Sequence, residues 1–191
     1  VGSEMCIRDS YCTCFLEITD KPDSRTDYRQ SYAKAYQEEF SKPRDVNRLY
    51  GEQNLFRYLP LKNMILRLFP KDTDEEATMI AHAARICRTP LTISFGPTDD
   101  RSSRLAGLGC TLRKESLEDF LKELPEYERV RTCSPDIPDV MYERAAETNK
   151  YIATAPPVKQ GRIELIHYIK EQSIAFEYHR YGSISEVPPC E

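Results

Sequence analysis

From Leu55 onward the sequence alternates between short apolar runs and amphipathic segments of helical period, and this alternation restricts the fold more than any other feature. LKNMILRLF is dense in Met64, Ile65, Leu66 and Leu68 and reads as a strand. DTDEEATMIAHAARICR reads as a helix, with Thr73 and Glu76 spaced for a capping box and Ala77, Ile80, Ala81 and Ala84 on one face. Pro90 ends it, and LTISF is the next strand. KESLEDFLKEL predicts a helix that buries Leu117, Phe120, Leu121 and Leu124. ERVRTC predicts a strand, DVMYERAAETN a helix, and YIATAP a strand. GRIELIHYIKEQS predicts a last helix with Ile163, Ile166, Ile169 and Ile174 on its core side. Strands alternating with helices mean βαβ units and right-handed crossovers. The expected fold class is α/β: a small Rossmann-like three-layer domain with a mostly parallel sheet, preceded by a helical arm.

The arm covers residues 11–54. YCTCFLEITDKPD alternates apolar residues at Cys12, Cys14, Leu16 and Ile18, which is strand-like, and then turns at Lys-Pro-Asp. Ser24 to Ser41 predicts a helix with Tyr28, Tyr32, Ala35, Tyr36 and Phe40 on one side, a stripe suited to packing against a neighbouring body. KPRDVNRLYGEQN reads as a linker. The domain proper is expected over residues 55–184, with residues 185–191 as a mobile tail.

A Rossmann-like sheet raises the question of a dinucleotide site, which needs a G-x-G-x-x-G turn after the first strand. The turn here, FPKDTDEEA, has no glycine, and its acidic residues repel phosphate. Gly107 and Gly109 in LAGLGC lack the third glycine, and no P-loop or G-x-S-x-G occurs. His82 and His167 lie in helical patterns and read as packed or surface residues. No catalytic, cofactor-binding or metal-binding residue is expected, and no Cys or His cluster has zinc-ligand spacing.

The chain is 40% hydrophobic and 30% charged, with a net charge of −4, which disfavours nucleic acid as a partner. Its Lys and Arg residues are dispersed among acids, as on a solvated surface. No apolar run approaches the roughly 20 residues needed to cross a bilayer. Irregularly spaced cysteines in a chain of 191 residues suggest reduced thiols and a cytoplasmic location.

The densest stretch is IELIHYIKEQSIAFEYHRYGSI. Aromatic residues beside Arg are what buried interfaces prefer, and Gly182 can stop the backbone with φ > 0. The expected docking residues are Tyr168, Glu171, Gln172, Ser173, Phe176, Tyr178, His179, Arg180, Tyr181 and Gly182, the alternative being a last helix that caps its own sheet.

The first ten residues, VGSEMCIRDS, follow no structural period. The DNA GTG GGC TCG GAG ATG TGT ATA AGA GAC AG, which resembles a transposon-based sequencing adapter, reads V-G-S-E-M-C-I-R-D before a Ser or Arg codon. Val1 to Ser10 are therefore expected to be adapter-derived, and the remainder a piece of a longer protein that begins upstream of Tyr11.

RIELIHYIKEQSIAFEYHRYGSI resembles the C-terminal motif of long bifunctional proline-utilisation enzymes, R-x-E-L-x-x-Y-x-x-E-Q-S-x-S-x-x-Y-H-R-Y-G-N. Arg162, Glu164, Leu165, Tyr168, Glu171, Gln172, Ser173, Tyr178, His179, Arg180, Tyr181 and Gly182 match, whereas Ala175 and Ser183 depart. GEQNLFRYLPLKNMILRL is similar to the family's G-E-x-N-x-x-R-Y-x-P, and the resemblance runs over residues 31–184. It implies a bacterial, cytoplasmic parent. In such a parent an FAD-dependent proline dehydrogenase and an NAD-dependent glutamate-semialdehyde dehydrogenase convert proline to glutamate via pyrroline-5-carboxylate. The matching region would be a non-catalytic aldehyde-dehydrogenase-like accessory domain, itself without cofactor. Residues 162–184 would dock on the parent's catalytic domains, cover the channel for the intermediate and support assembly, with a homo-oligomer as a further partner. The alternatives are a degenerate NAD-binding module and a stand-alone protein-interaction domain.

Overall fold

The computed structural model describes residues 27–180 and 183–184. Helix α1 (Tyr28–Ala35) starts at Asp27, whose carboxylate accepts from Arg29 N, and continues through a π-helical turn over Tyr36–Phe40. The predicted aromatic stripe forms: Tyr32, Ala35 and Phe40 are buried, and Tyr28 and Tyr36 pack on the same cluster. The arm is therefore part of the core.

Strand β1 (Arg44–Asp45) and strand β2 (Glu52–Pro60) follow, then β3 (Met64–Arg67), every residue of which is buried. Helix α2 (Asp74–Ile86) carries the predicted capping box between Thr73 and Glu76 and buries Ala77, Ile80, Ala81 and Ala84. Next come β4 (Leu91–Phe95), the short α3 (Ser102–Leu105), β5 (Thr111–Lys114) and α4 (Leu117–Glu123). They are followed by β6 (Arg129–Arg131), α5 (Asp139–Glu147), β7 (Tyr151–Ala153) and α6 (Gly161–Glu164). Strand β8 (Ile169–Glu177) and the pair β9 (His179–Arg180) and β10 (Ser183–Ile184) complete the order.

Five parallel strands form one sheet in the order β5-β4-β3-β6-β7. Side chains alternate across it. Met64 and Leu66 join α1 and α2 in one apolar cluster, which includes Tyr32, Ile80, Leu165 and Tyr168. Ile65 and Val130 join the other, with Phe120, Leu124, Met141 and Ala145 from the α4 and α5 side. Helices on both faces of a parallel sheet make the three-layer α/β domain that the alternation predicts. Each wholly buried aliphatic side chain contributes about 1.5–3 kcal/mol relative to exposure.

Four elements differ from expectation. GRIELIHYIKEQS is not one helix: α6 ends at Glu164, a 3-10 turn covers Leu165–His167, and β8 begins at Ile169. Ile166 is exposed, and the buried residues are Gly161, Glu164, Leu165, Tyr168 and Ile169. The end of the expected linker is strand β2, so the boundary placed at Leu55 falls inside that strand. Residues 111–114 form edge strand β5, which the sequence reading did not predict because it is too short for its alternation to show, and Lys114 belongs to it and not to the helix expected over KESLEDFLKEL. Arg67, Arg101 and Arg131 are buried, against the solvated-surface reading of the basic residues. The strand-like reading of Cys12 to Ile18, the adapter residues and the tail from residue 185 lie outside the described residues.

Candidate functional site

In open α/β sheets ligands bind beyond the carboxyl ends of the strands where the strand order reverses. Here that point lies between β3 and β6, because β4 and β5 extend the sheet one way and β6 and β7 the other. A phosphate there would need free amides at the start of α2. Side chains already hold the amide of Glu76 in the first turn of α2 and those of Phe69 and Thr73 just before it. Phe69 N donates to Asp72 Oδ2 at 2.7 Å, Thr73 N to Glu76 Oε2 at 2.8 Å, and Glu76 N to Thr73 Oγ1 at 3.2 Å. Asp74, Glu75 and Glu76 crowd the first turn and repel an anion.

Across the crevice, Cys133 follows β6. Its thiol and one carboxylate oxygen each of Asp72 and Glu76 lie within 4.8 Å of one another. Burial, and then the Asp72 and Glu76 charges, push the thiol pKa well up. Burial, reinforced by Glu76, raises the Asp72 carboxyl. Phe69, Pro70, Ile137 and Pro138 line a groove of about 400 Å³ beside it, where an exposed Lys71–Asp136 pair closes at 2.8 Å.

A second construction roots the C-terminal strand. Arg131 Nη2 donates to Glu164 Oε1 at 2.9 Å, and neither side chain is exposed. Tyr168 OH donates to the same oxygen at 2.6 Å, and Val158 N to Glu164 Oε2 at 2.9 Å. Arg131 Nη1 also donates to Ala155 O at 2.7 Å. Burial works against the charged guanidinium, but Tyr168 and Glu164 outweigh it and raise the pKa. Tyr32 OH donates to Val158 O at 2.6 Å, which ties α1 to the same point. Arg129 Nη1 donates to His167 O at 2.7 Å, and Glu128 accepts from both Lys170 Nζ and Lys62 N at 2.6 Å.

From this root β8 runs out antiparallel to β2, paired from Pro60↔Ile169 to Glu52↔Glu177. One face holds Phe56 and Tyr58, and Phe40 of the arm meets Tyr58 at 4.9 Å between ring centroids. The other carries the cross-strand pairs Leu55–Ile174 and Gln53–Phe176, all part-exposed, and Arg57 Nε donates to Gln172 Oε1 at 2.7 Å. Strand β8 has no Gly or Pro, and its second edge has no neighbour among the described residues. At the ribbon tip Val46, Leu49 and Tyr50 are exposed, and Gly51 turns the chain at φ +88°.

The ten expected docking residues divide. Tyr168 is fully buried and supports the ribbon from within, because its hydroxyl satisfies Glu164. Glu171, Ser173 and Phe176 are exposed on β8, Gln172 is held by Arg57, and Tyr178 N donates to Gly51 O at 3.0 Å. His179 and Arg180 form β9, paired with β10, whereas Tyr181 and Gly182 lie outside the described residues. Sequence reasoning missed Arg131 and Glu164. The available signal was a charge inside each of the apolar strings VRTC and IELI, where only a buried pair is tolerated.

No protein-family model matches the chain, and no curated protein sequence matches it. Among solved structures, Proline Utilization A (PutA) from Corynebacterium freiburgense is similar, with TM-score 0.56 and 24% identity over 84% of this chain and 14% of that one. Histidinol dehydrogenase from Elizabethkingia anophelis has TM-score 0.53 and 9% identity over 81% of this chain and 39% of that one. Succinate-semialdehyde dehydrogenase from Burkholderia pseudomallei has TM-score 0.48 and 13% identity over 68% and 30%. The first two likenesses are of fold, and this chain spans only 14% and 39% of those proteins.

Proposed function

We propose that this chain is a non-catalytic accessory domain of a bifunctional proline-catabolic oxidoreductase, a cytosolic enzyme that uses FAD and NAD in its other domains. Its ribbon docks on the parent's catalytic body, covers the path of the pyrroline-5-carboxylate intermediate and supports assembly. The observation that carries this reading is the firmly rooted ribbon, whose β8 edge has no neighbour among the described residues, beside a crevice whose mouth is acidic. An open edge of that length accepts another strand by backbone hydrogen bonding. The fold shared with part of PutA and the motif from Arg162 to Gly182 supply the choice of parent.

The test uses a full-length homologue lacking the segment equivalent to residues 178–182. Glutamate production from proline should show a longer lag, with each half-reaction measured alone unchanged. An unchanged lag would refute the channel-covering role. A second reading, a degenerate NAD module, draws on the strand order, which is that of a dinucleotide-binding sheet.

A further inference from the structure

We propose that Asp72, Glu76 and Cys133 bind a divalent transition-metal ion of the zinc class at the crevice between β3 and β6. Three features of the crevice point to a cation. The Cys133 thiol is only 2% exposed and makes no hydrogen bond among the described residues, although it faces two carboxylates. Neither Asp72 nor Glu76 has an ion pair among the described residues: Lys71 pairs with Asp136 and Arg101 with Asp99, and the Arg101 charge reaches Asp72 without a salt bridge. The known hydrogen bonds of Asp72 and Glu76 each use one carboxylate oxygen, leaving the other available.

The donor set suits the ion. Thiolate and carboxylate together select zinc over magnesium or calcium, which prefer oxygen alone. Tetrahedral zinc bonds of about 2.0–2.3 Å hold ligand atoms roughly 3.3–3.7 Å apart, so donors within 4.8 Å need only close inward. The capping box and the Phe69 amide would orient the two carboxylates as outer supports. On binding, the Cys133 S–H bond breaks, the proton leaves to buffer, and a sulfur–metal bond forms with no redox change. Three protein ligands leave a fourth position toward the groove, where water completes the shell. Spacing rules miss this set because its ligands come from the start of α2 and the segment after β6, far apart in sequence.

The whole chain, kept reduced with a phosphine, is titrated with zinc and separately with cobalt(II), whose thiolate charge-transfer absorption reports sulfur ligation. The expected result is one ion per chain, a thiolate band, and release of one proton. Cys133→Ser should abolish the band, and Cys110→Ser should leave it. Glu76→Gln and Asp72→Asn, which retain the capping and turn hydrogen bonds, should weaken zinc binding by about tenfold or more. Circular dichroism establishes that each variant is folded. Absence of the band from the parent chain, its survival in folded Cys133→Ser, or zinc affinity unchanged in both carboxamide variants would each overturn the site.

Discussion

Arg131 and Glu164 meet at 2.9 Å with neither side chain exposed, and this one pair joins the end of β6 to the helix that launches the C-terminal ribbon. Removing one member strands the other charge in a fully buried site. Arg131→Met is expected to destabilise the chain by about 3–5 kcal/mol, and the double variant Arg131→Met with Glu164→Gln should recover part of that loss. Urea unfolding followed by circular dichroism reads both. A cost for the single variant below about 1 kcal/mol, the worth of a surface pair, would contradict the role assigned to it.

The arm meets α6 at a glycine. A methyl group on Gly161 would lie 2.5 Å from Ser31 O and 2.8 Å from Ala35 Cβ, and Gly161 N donates to Ser31 Oγ at 2.9 Å. Gly161→Ala should therefore cost about 1–3 kcal/mol by overpacking. Gly107→Ala, where a Cβ meets nothing within 4 Å, should stay within about 0.5 kcal/mol. Equal melting temperatures for the two variants would rule out the close contact.

Acid should loosen the root of the ribbon. Burial lowers the His167 pKa from 6.5 to about 4, with Arg131 and Arg129 adding repulsion and Glu164 opposing it. A depressed histidine pKa means that the unfolded chain binds the proton more readily. Stability should be fully present above pH 6.5 and fall as pH drops toward 4. His82 is shifted in the same direction, chiefly by burial and also by Arg85 and Arg29, so the comparison is by difference. His167→Gln should flatten the fall of the urea midpoint between pH 6.5 and 4, and an identical slope in the variant would exclude His167 as its source.

Calorimetry with NAD separates the accessory reading from a degenerate cofactor module. No saturable heat is expected, because the start of α2 presents three acidic side chains that repel a pyrophosphate. A saturable isotherm would favour the module.

Local features were legible in the sequence. The Thr73–Glu76 box and the alanines of α2 lie within one helix, and the β3 and β4 runs are apolar enough to mark a buried parallel sheet. The C-terminal stretch misled because Ile163, Ile166 and Ile169 satisfy a helical period while the decisive partner of β8 is β2, with Arg57 and Gln172 separated by 115 positions. The same distance hid the strand within the expected linker. The partners of the buried arginines were unreadable for a related reason: a charge inside an apolar string signals burial, but the group that neutralises it arrives from elsewhere in the fold. The crevice cluster, split between the start of α2 and the end of β6, likewise needed the topology to assemble it.

The pairing of β2 with β8 also orders events while the chain is being made. Strand β2 leaves the ribosome early, with Leu55, Phe56 and Tyr58 among its side chains, and its mate comes only after the entire parallel sheet has been translated. Until then β2 is a nine-residue strand with one edge bare, the kind of segment that chaperones hold and that neighbouring nascent chains can capture. The closing ladder thus makes the arrival of β8 the step that removes this hazard.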